Sequence, residues 1–368
     1  MATVVLDLPD GNETCELAII NATCDLTSPA ATLIEPVIPG HDFLNLPTLS
    51  FLMKHQSSGA QILFDLGCRK DFWNLPPPIS SVIDSHVPAI GFDVENVQAA
   101  IMSHHHYDHV GDPKELPKSV DLIVGPGFKS NFYPGYPTSQ ASLCFEAAFE
   151  GRTVREIDFI NAPTIGGFDA YDYFGDGSMY ILNVPGHAIG HICGLVRTTP
   201  TTFAFLGAHT CHFAGAFRPT PDVPLPDTIL PEADLDASLP SPCPCSIFTK
   251  LHPDQAKGRM SPYYKPYSAP DSWYVNPAVA LESTNKLKSF DASEDVLVVI
   301  AHDPSVIGVV PFFPDGKLNE WQKNGWKEIC RWRFLRELPM DGNSRPVLVD
   351  GTYRDGIKIK TLHGRVVS

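Results

Sequence analysis

At 368 residues, 43% apolar and 19% charged, the chain has the make-up of a folded globular protein rather than a disordered one. A formal net charge of -15 argues against nucleic acid or an anionic membrane surface as a partner. No apolar stretch approaches the length of a membrane span.

The chain opens with "MATVVLDLPDGNETCELAII", which lacks a basic start followed by a long apolar run, so no secretion leader is expected. Nine cysteines, an odd number, are spread without a framework pattern; they read as free thiols of a cytoplasmic protein. Cys243 and Cys245 are spaced more tightly than a metal-binding pair and have no second pair to join them.

Next come short apolar runs that are branched or aromatic and carry no helical period, the composition of buried strands. They are "AQILFDLG" (60–67), "VQAAIMS" (97–103), "SMYILNV" (178–184), "TFAFLG" (202–207) and "DVLVVI" (295–300). Residues 219–244 hold eight prolines and almost no periodicity, which predicts a long loop near the active site. Asn276 and Pro277 form an N-cap and first-turn pair ahead of a helix carrying Leu281, Thr284 and Leu287 at helical spacing. "KLNEWQKNGWKEICRWRFL" (317–335) reads as a late helix broken near Gly325, its tryptophans packing a core. A hairpin is expected in the last residues. The organisation is one catalytic domain over residues 1–342 and a C-terminal tail over 343–368.

Four of those strands run into histidines: His104, His187, His209 and His302. Strand ends on one rim converge in space, and imidazoles gathered from separate rim loops suit Zn(II), Fe(II) or Mn(II). In "SHHHYDHVGD" (103–112), His104 and His106 can point one way and His105 the other. Asp108 and His109 lie past the turn, where they can face a second ion.

"SHHHYDHVGD" resembles the signature loop of the metallo-β-lactamase superfamily, and "VPGHAIGHICGLV" its second histidine motif. "FAFLGAHTCH" falls at the third motif and "LVVIAHD" at the last, while "ILFDLGCRKDFWNLPP" is similar to the fungal lactonase-like and lactamase-like branch. The resemblance implies an α+β fold, an αββα sandwich with metals in the cleft at the sheet edges. It assigns one ion, zinc above all, to His104, His106 and His187, and a second to Asp108, His109 and His302. It implies a hydrolase in which an ion-activated water opens a lactone, lactam, ester or thioester of a small secondary metabolite. Asp108 then orients the water and passes its proton to the leaving group. Tyr107 and His212 are expected to contact the substrate, and His191 to be structural.

One position departs. The family keeps a bridging aspartate in its third motif, where this chain has Ala208 and His209. A carboxylate can hold two cations, whereas a neutral imidazole has one lone pair. Three readings follow: His209 as a terminal ligand, a centre with one ion, or His209 as an acid or base. Ala216 also stands where a glutamate is expected. The changes motivate a rival function, a Lewis-acid isomerase, cyclase or dehydratase, and a second rival, a metal-poor binding protein. No G-x-S-x-G motif supports a serine hydrolase, and no glycine fingerprint supports dinucleotide binding.

Overall fold

All five apolar runs form strands, and two longer strands join them that the sequence did not announce. In the computed structural model, residues 6–80 and 96–367 are described; the outer limits of the expected domain and tail, residues 1 and 368, lie outside them. One sheet contains β1 (Cys15–Pro29), β2 (Phe43–His55), β3 (Gln61–Phe64), β4 (Val97–Ile101), β5 (Asp121–Val124) and β6 (Val154–Glu156), in that spatial order. The other contains β7 (Thr164–Ile165), β8 (Phe168–Asp172), β9 (Met179–Asn183), β10 (Ile192–Arg197), β11 (Phe203–Leu206) and β12 (Val296–Val299), with β12 beside β11 and β7 at the far edge.

Alternation along the strands makes the layers. Ala99 and Ile101 of β4 join a core that draws Phe51 and Phe64 from the first sheet and Ile181 and Leu206 from the second. Ala100 and the following Met102 face the other way, under Phe128 and Phe132 of a short outer helix. On the far side the helix Pro277–Ala292 covers the second sheet, its Phe290 ring 4.8 Å from that of Phe205. The result is the αββα sandwich.

Strand direction decides where the site forms. β3, β4 and β5 run parallel, while β9 and β11 flank the antiparallel β10 and so share a direction, which β12 follows. The C-terminal ends of β3 and β4 meet those of β9, β11 and β12 at one rim. Backbone bonds tie the two sides: Ile192 N donates to Ser103 O at 2.9 Å, and Leu49 N to Ala301 O at 3.0 Å.

Several expectations change. Asn276 caps its helix by accepting from Val279 N at 3.2 Å, but the buried stripe runs through Ala280, Ser283, Thr284, Leu287 and Phe290, leaving Leu281 half-buried. Beyond 317 only Trp326–Arg331 is α-helical, with Gly325 in the left-handed region at its start. Trp321 and Trp332 are buried. Cys24 and Cys68 are not free thiols; they form a disulfide from β1 to the loop after β3, because folding brings their Cα atoms to 6.1 Å. The other seven are buried thiols, Cys243 and Cys245 among them. A hairpin, β13 (Gly351–Arg354) with β14 (Ile357–Thr361), forms near the C-terminus. Among the described residues no helix is long and apolar enough to cross a membrane.

Candidate metal centre

Seven side chains from four rim loops converge. His104, His106, His187 and His209 offer ligand atoms that all lie within 4.8 Å of one another. Asp108, His109, His209 and His302 form a second such group, with His209 common to both. All but the half-buried His106 are buried. His187 Nε2 is 3.0 Å from His106 Nδ1, and Asp108 Oδ2 is 3.1 Å from His302 Nε2.

Local backbone sets up each donor. His106 leads into a single helical turn, Tyr107–Val110, which carries Asp108 and His109 back toward the rim. Gly186, just before His187, has φ 124°, and a Cβ there would lie 2.2 Å from Ala280 N. Only glycine lets that loop pass against the helix start. Ala208, just before His209, takes φ 37°, a left-handed conformation that alanine adopts at a cost. Its carbonyl accepts from Ala301 N at 3.0 Å.

Hydrogen bonds outside the two groups fix the ring tautomers. Asp65, at the end of β3, accepts from His109 Nδ1 at 2.6 Å, Ser103 N at 2.7 Å and Ser103 Oγ at 2.9 Å. With the Ser103 hydroxyl proton given to Asp65, Oγ accepts from His104 Nδ1 at 2.9 Å, and His104 presents Nε2 inward. His302 Nδ1 donates to Pro47 O at 3.0 Å, leaving its Nε2 beside Asp108. Such outer partners both orient a metal-binding imidazole and make it more basic. Asp65 was absent from the sequence-based site: an isolated aspartate at a strand end is indistinguishable from a turn residue.

Electrostatics suit cation binding. Burial, reinforced by neighbouring imidazoles, pushes His104, His187 and His209 well below the usual histidine range, so their rings are neutral and keep lone pairs. Burial works to raise the Asp108 carboxyl, but His109, His302 and His209 outweigh it and hold the group ionised. His104 Nε2 is buried without a hydrogen-bond partner. A fully buried ring nitrogen turned toward other nitrogens is costly in the absence of something electropositive. This donor set therefore fits a metal ion.

The remaining expected residues fall around the centre. Tyr107 and His212 line a cavity of about 190 Å³ together with Asp108, His106, His187, His209 and His302. His212 Nδ1 is 2.7 Å from the Tyr274 hydroxyl. His191 holds no place in either donor group: its Nδ1 donates to Val184 O at 2.7 Å and its Nε2 accepts from His209 N at 3.0 Å. It fixes the backbone that carries His209. Ala216 is buried in the core and, among the described residues, does not line the cavity. Residues 219–244 contribute none of the described lining either. Leu26, Pro29, Leu33, Leu46, Ile79 and Trp273 supply the apolar wall instead. The proline-rich segment buries Val223, Leu225, Ile229 and Leu235 in the core, so it packs as a covering strap.

Residues 45–204 match the metallo-beta-lactamase superfamily model. The chain is 40% identical over 357 residues to gamma-lactamase FDB1 of Fusarium pseudograminearum, covering 91% of this chain and 85% of that one. It is 35% identical over 352 residues to metallo-hydrolase mfmC of Annulohypoxylon moriforme, covering 90% of each. A crystal structure of B. thuringiensis AiiA with N-decanoyl-L-homoserine bound at its active site superposes with a TM-score of 0.52 at 16% identity, over 84% of this chain and 100% of that one.

Proposed function

This chain belongs to the metallo-β-lactamase superfamily and is a metal-dependent hydrolase of it, and from that premise we propose that it opens a small lactam or lactone with an apolar body. The observation that carries the reading is the pair of donor groups sharing His209 at the floor of a cavity whose wall is apolar. Relatives named gamma-lactamase support a cyclic acyl substrate.

His104, His106, His187 and His209 would hold one ion, and Asp108, His109, His302 and His209 would hold another, zinc being the natural choice for this nitrogen-rich set. A divalent cation there supplies Lewis acidity toward an acyl oxygen and toward water. Asp108 is the one carboxylate among the described residues lining the cavity, and it stays ionised at neutral pH. It orients the attacking water by accepting a hydrogen bond, takes up a proton at its carboxylate, and returns it to the departing nitrogen or oxygen. With the Tyr274 hydroxyl donating to His212 Nδ1, His212 Nε2 would carry the N–H and could steady an acyl oxygen. Tyr107, Leu33, Ile79 and Trp273 pack the body of the substrate and exclude bulk water. A cytoplasmic site of action is part of the proposal.

The test is incubation of the purified, metal-loaded protein with a panel of bicyclic γ-lactams and γ-lactones, read by mass spectrometry. A product heavier by one water, lost in His106→Ala with the fold intact by circular dichroism, is the expected result. An isomeric product would replace hydrolysis by Lewis-acid rearrangement, and turnover retained by the variant would remove the metal from the mechanism.

A further inference from the structure

The two donor groups meet in a single ring. His209 Nδ1 lies 2.9 Å from His187 Nε2, in the group with His104 and His106. On its other edge, His209 Nε2 lies 3.3 Å from His109 Nε2 and 3.9 Å from Asp108 Oδ2, in the group with His302. We propose that His209 is an imidazolate bridge, giving one ring nitrogen to each of two cations. The inference rests on the metal-dependent reading above and adds how the two ions are joined.

What sets His209 apart is that each of its two nitrogens faces a donor group; His187 turns only Nε2 to the centre, and its Nδ1 is buried without a partner. His104, His109 and His302 each engage one nitrogen outside the centre, with Ser103 Oγ, Asp65 and Pro47 O respectively. That outer bond takes the N–H and leaves one lone pair, the arrangement of an ordinary single-ion ligand. Neither nitrogen of His209 has such an outlet: the partners recorded for them are His187, His109 and Asp108, all members of the two groups. The ring is also held edge-on between the groups by its backbone. His191 Nε2 accepts from His209 N, and Ala208 is locked at positive φ by the bond from Ala301.

Charge points the same way. Asp108 is the only carboxylate in the two donor groups, so two dications would face each other with a single compensating charge. An imidazolate supplies a second negative charge and two opposed lone pairs. As the second ion binds, the ring's one N–H bond breaks, its electron pair becomes the new ligand pair, and the proton passes to solvent water. Two cations so bridged would sit roughly 6 Å apart, two bonds of about 2 Å plus the width of the ring. A centre bridged by oxygen holds them at roughly 3.5–4 Å.

The test uses the full chain stripped of metal and reloaded with Cu(II). Ion content is read by elemental analysis, and spin coupling by low-temperature electron paramagnetic resonance. Two ions per chain with most of the resonance intensity lost to coupling is the expected result, with the coupling abolished in His209→Ala. His209→Gln, close in volume and with a single acceptor atom, serves as a second variant should the alanine form not fold. One ion per chain, or two with full intensity, overturns the bridge and leaves the metal-dependent reading standing. A coupled pair that survives in a folded His209 variant also overturns the bridge. No bound ion overturns both.

Discussion

Replacing Asp65 by Asn changes neither the volume nor the shape of the side chain, yet it reaches the centre through proton positions. The carboxylate accepts three hydrogen bonds, from His109 Nδ1 at 2.6 Å, Ser103 N at 2.7 Å and Ser103 Oγ at 2.9 Å. Two of them converge on Oδ2. In the variant, one oxygen can still serve Ser103 N, and the amide nitrogen then faces His109 Nδ1. Two N–H groups cannot share that contact, so His109 moves its proton to Nε2 and loses the lone pair it turns toward Asp108 and His209. His104 keeps Ser103 Oγ as its acceptor, so the group it belongs to is less affected. Loss of one outer partner lowers metal affinity by about 10–100-fold, or about 1.4–2.7 kcal/mol. The assay is zinc competition against a chromophoric chelator on the wild type and the variant, with circular dichroism to establish that both are folded. The weaker of the two ions should be lost first. Affinity within about twofold of wild type would refute the reasoning, because it would mean that the Asp65–His109 bond does not set the tautomer.

Two further outcomes follow from the same geometry. Gly186→Ala drives a Cβ to within 2.2 Å of Ala280 N at a backbone angle reserved for glycine, so urea denaturation should reveal a loss of more than about 3 kcal/mol; a loss below about 1 kcal/mol would contradict the packing of that loop. Burial holds His41 and His105 each down to about 4 in the folded protein. The unfolded chain, whose histidines titrate near ~6.5, binds more protons between those values. The stability these two rings contribute is therefore full above about pH 6.5 and falls toward pH 4 by on the order of a few kcal/mol, and a urea midpoint that stays flat through that window would refute it.

Much of the framework was readable from residue order. The five apolar runs became β3, β4, β9, β11 and β12, because runs of Val, Ile, Leu and Phe bounded by turns have few other stable fates. The two longest strands were not readable. "CELAIINATCDLTSP" and "FLNLPTLSFLMKH" mix proline and polar residues into their apolar pattern, and the first shifts register between Asn21 and Asp25. The proline-rich segment, expected near the site, supplies none of the described cavity lining, since prolines erase periodicity whether a segment covers a core or a pocket. The cavity wall came instead from the end of β1 and the turn after it, with Leu46, Ile79 and Trp273.

Residue identity determined the chemistry: imidazoles at the ends of four buried strands can gather a cation wherever those strands share a rim, and Ala208–His209 offers an imidazole rather than a carboxylate at the third of those ends. Tertiary structure decided which atom of each ring does what. A ring's tautomer and direction are set by partners distant in the chain: Asp65 for His109, Pro47 for His302, His191 for the backbone of His209. A hydrogen bond is local in space and not in sequence, so a string of letters names the donors without orienting them. That His209 turns one nitrogen to each group could be learned only once the sheets had packed.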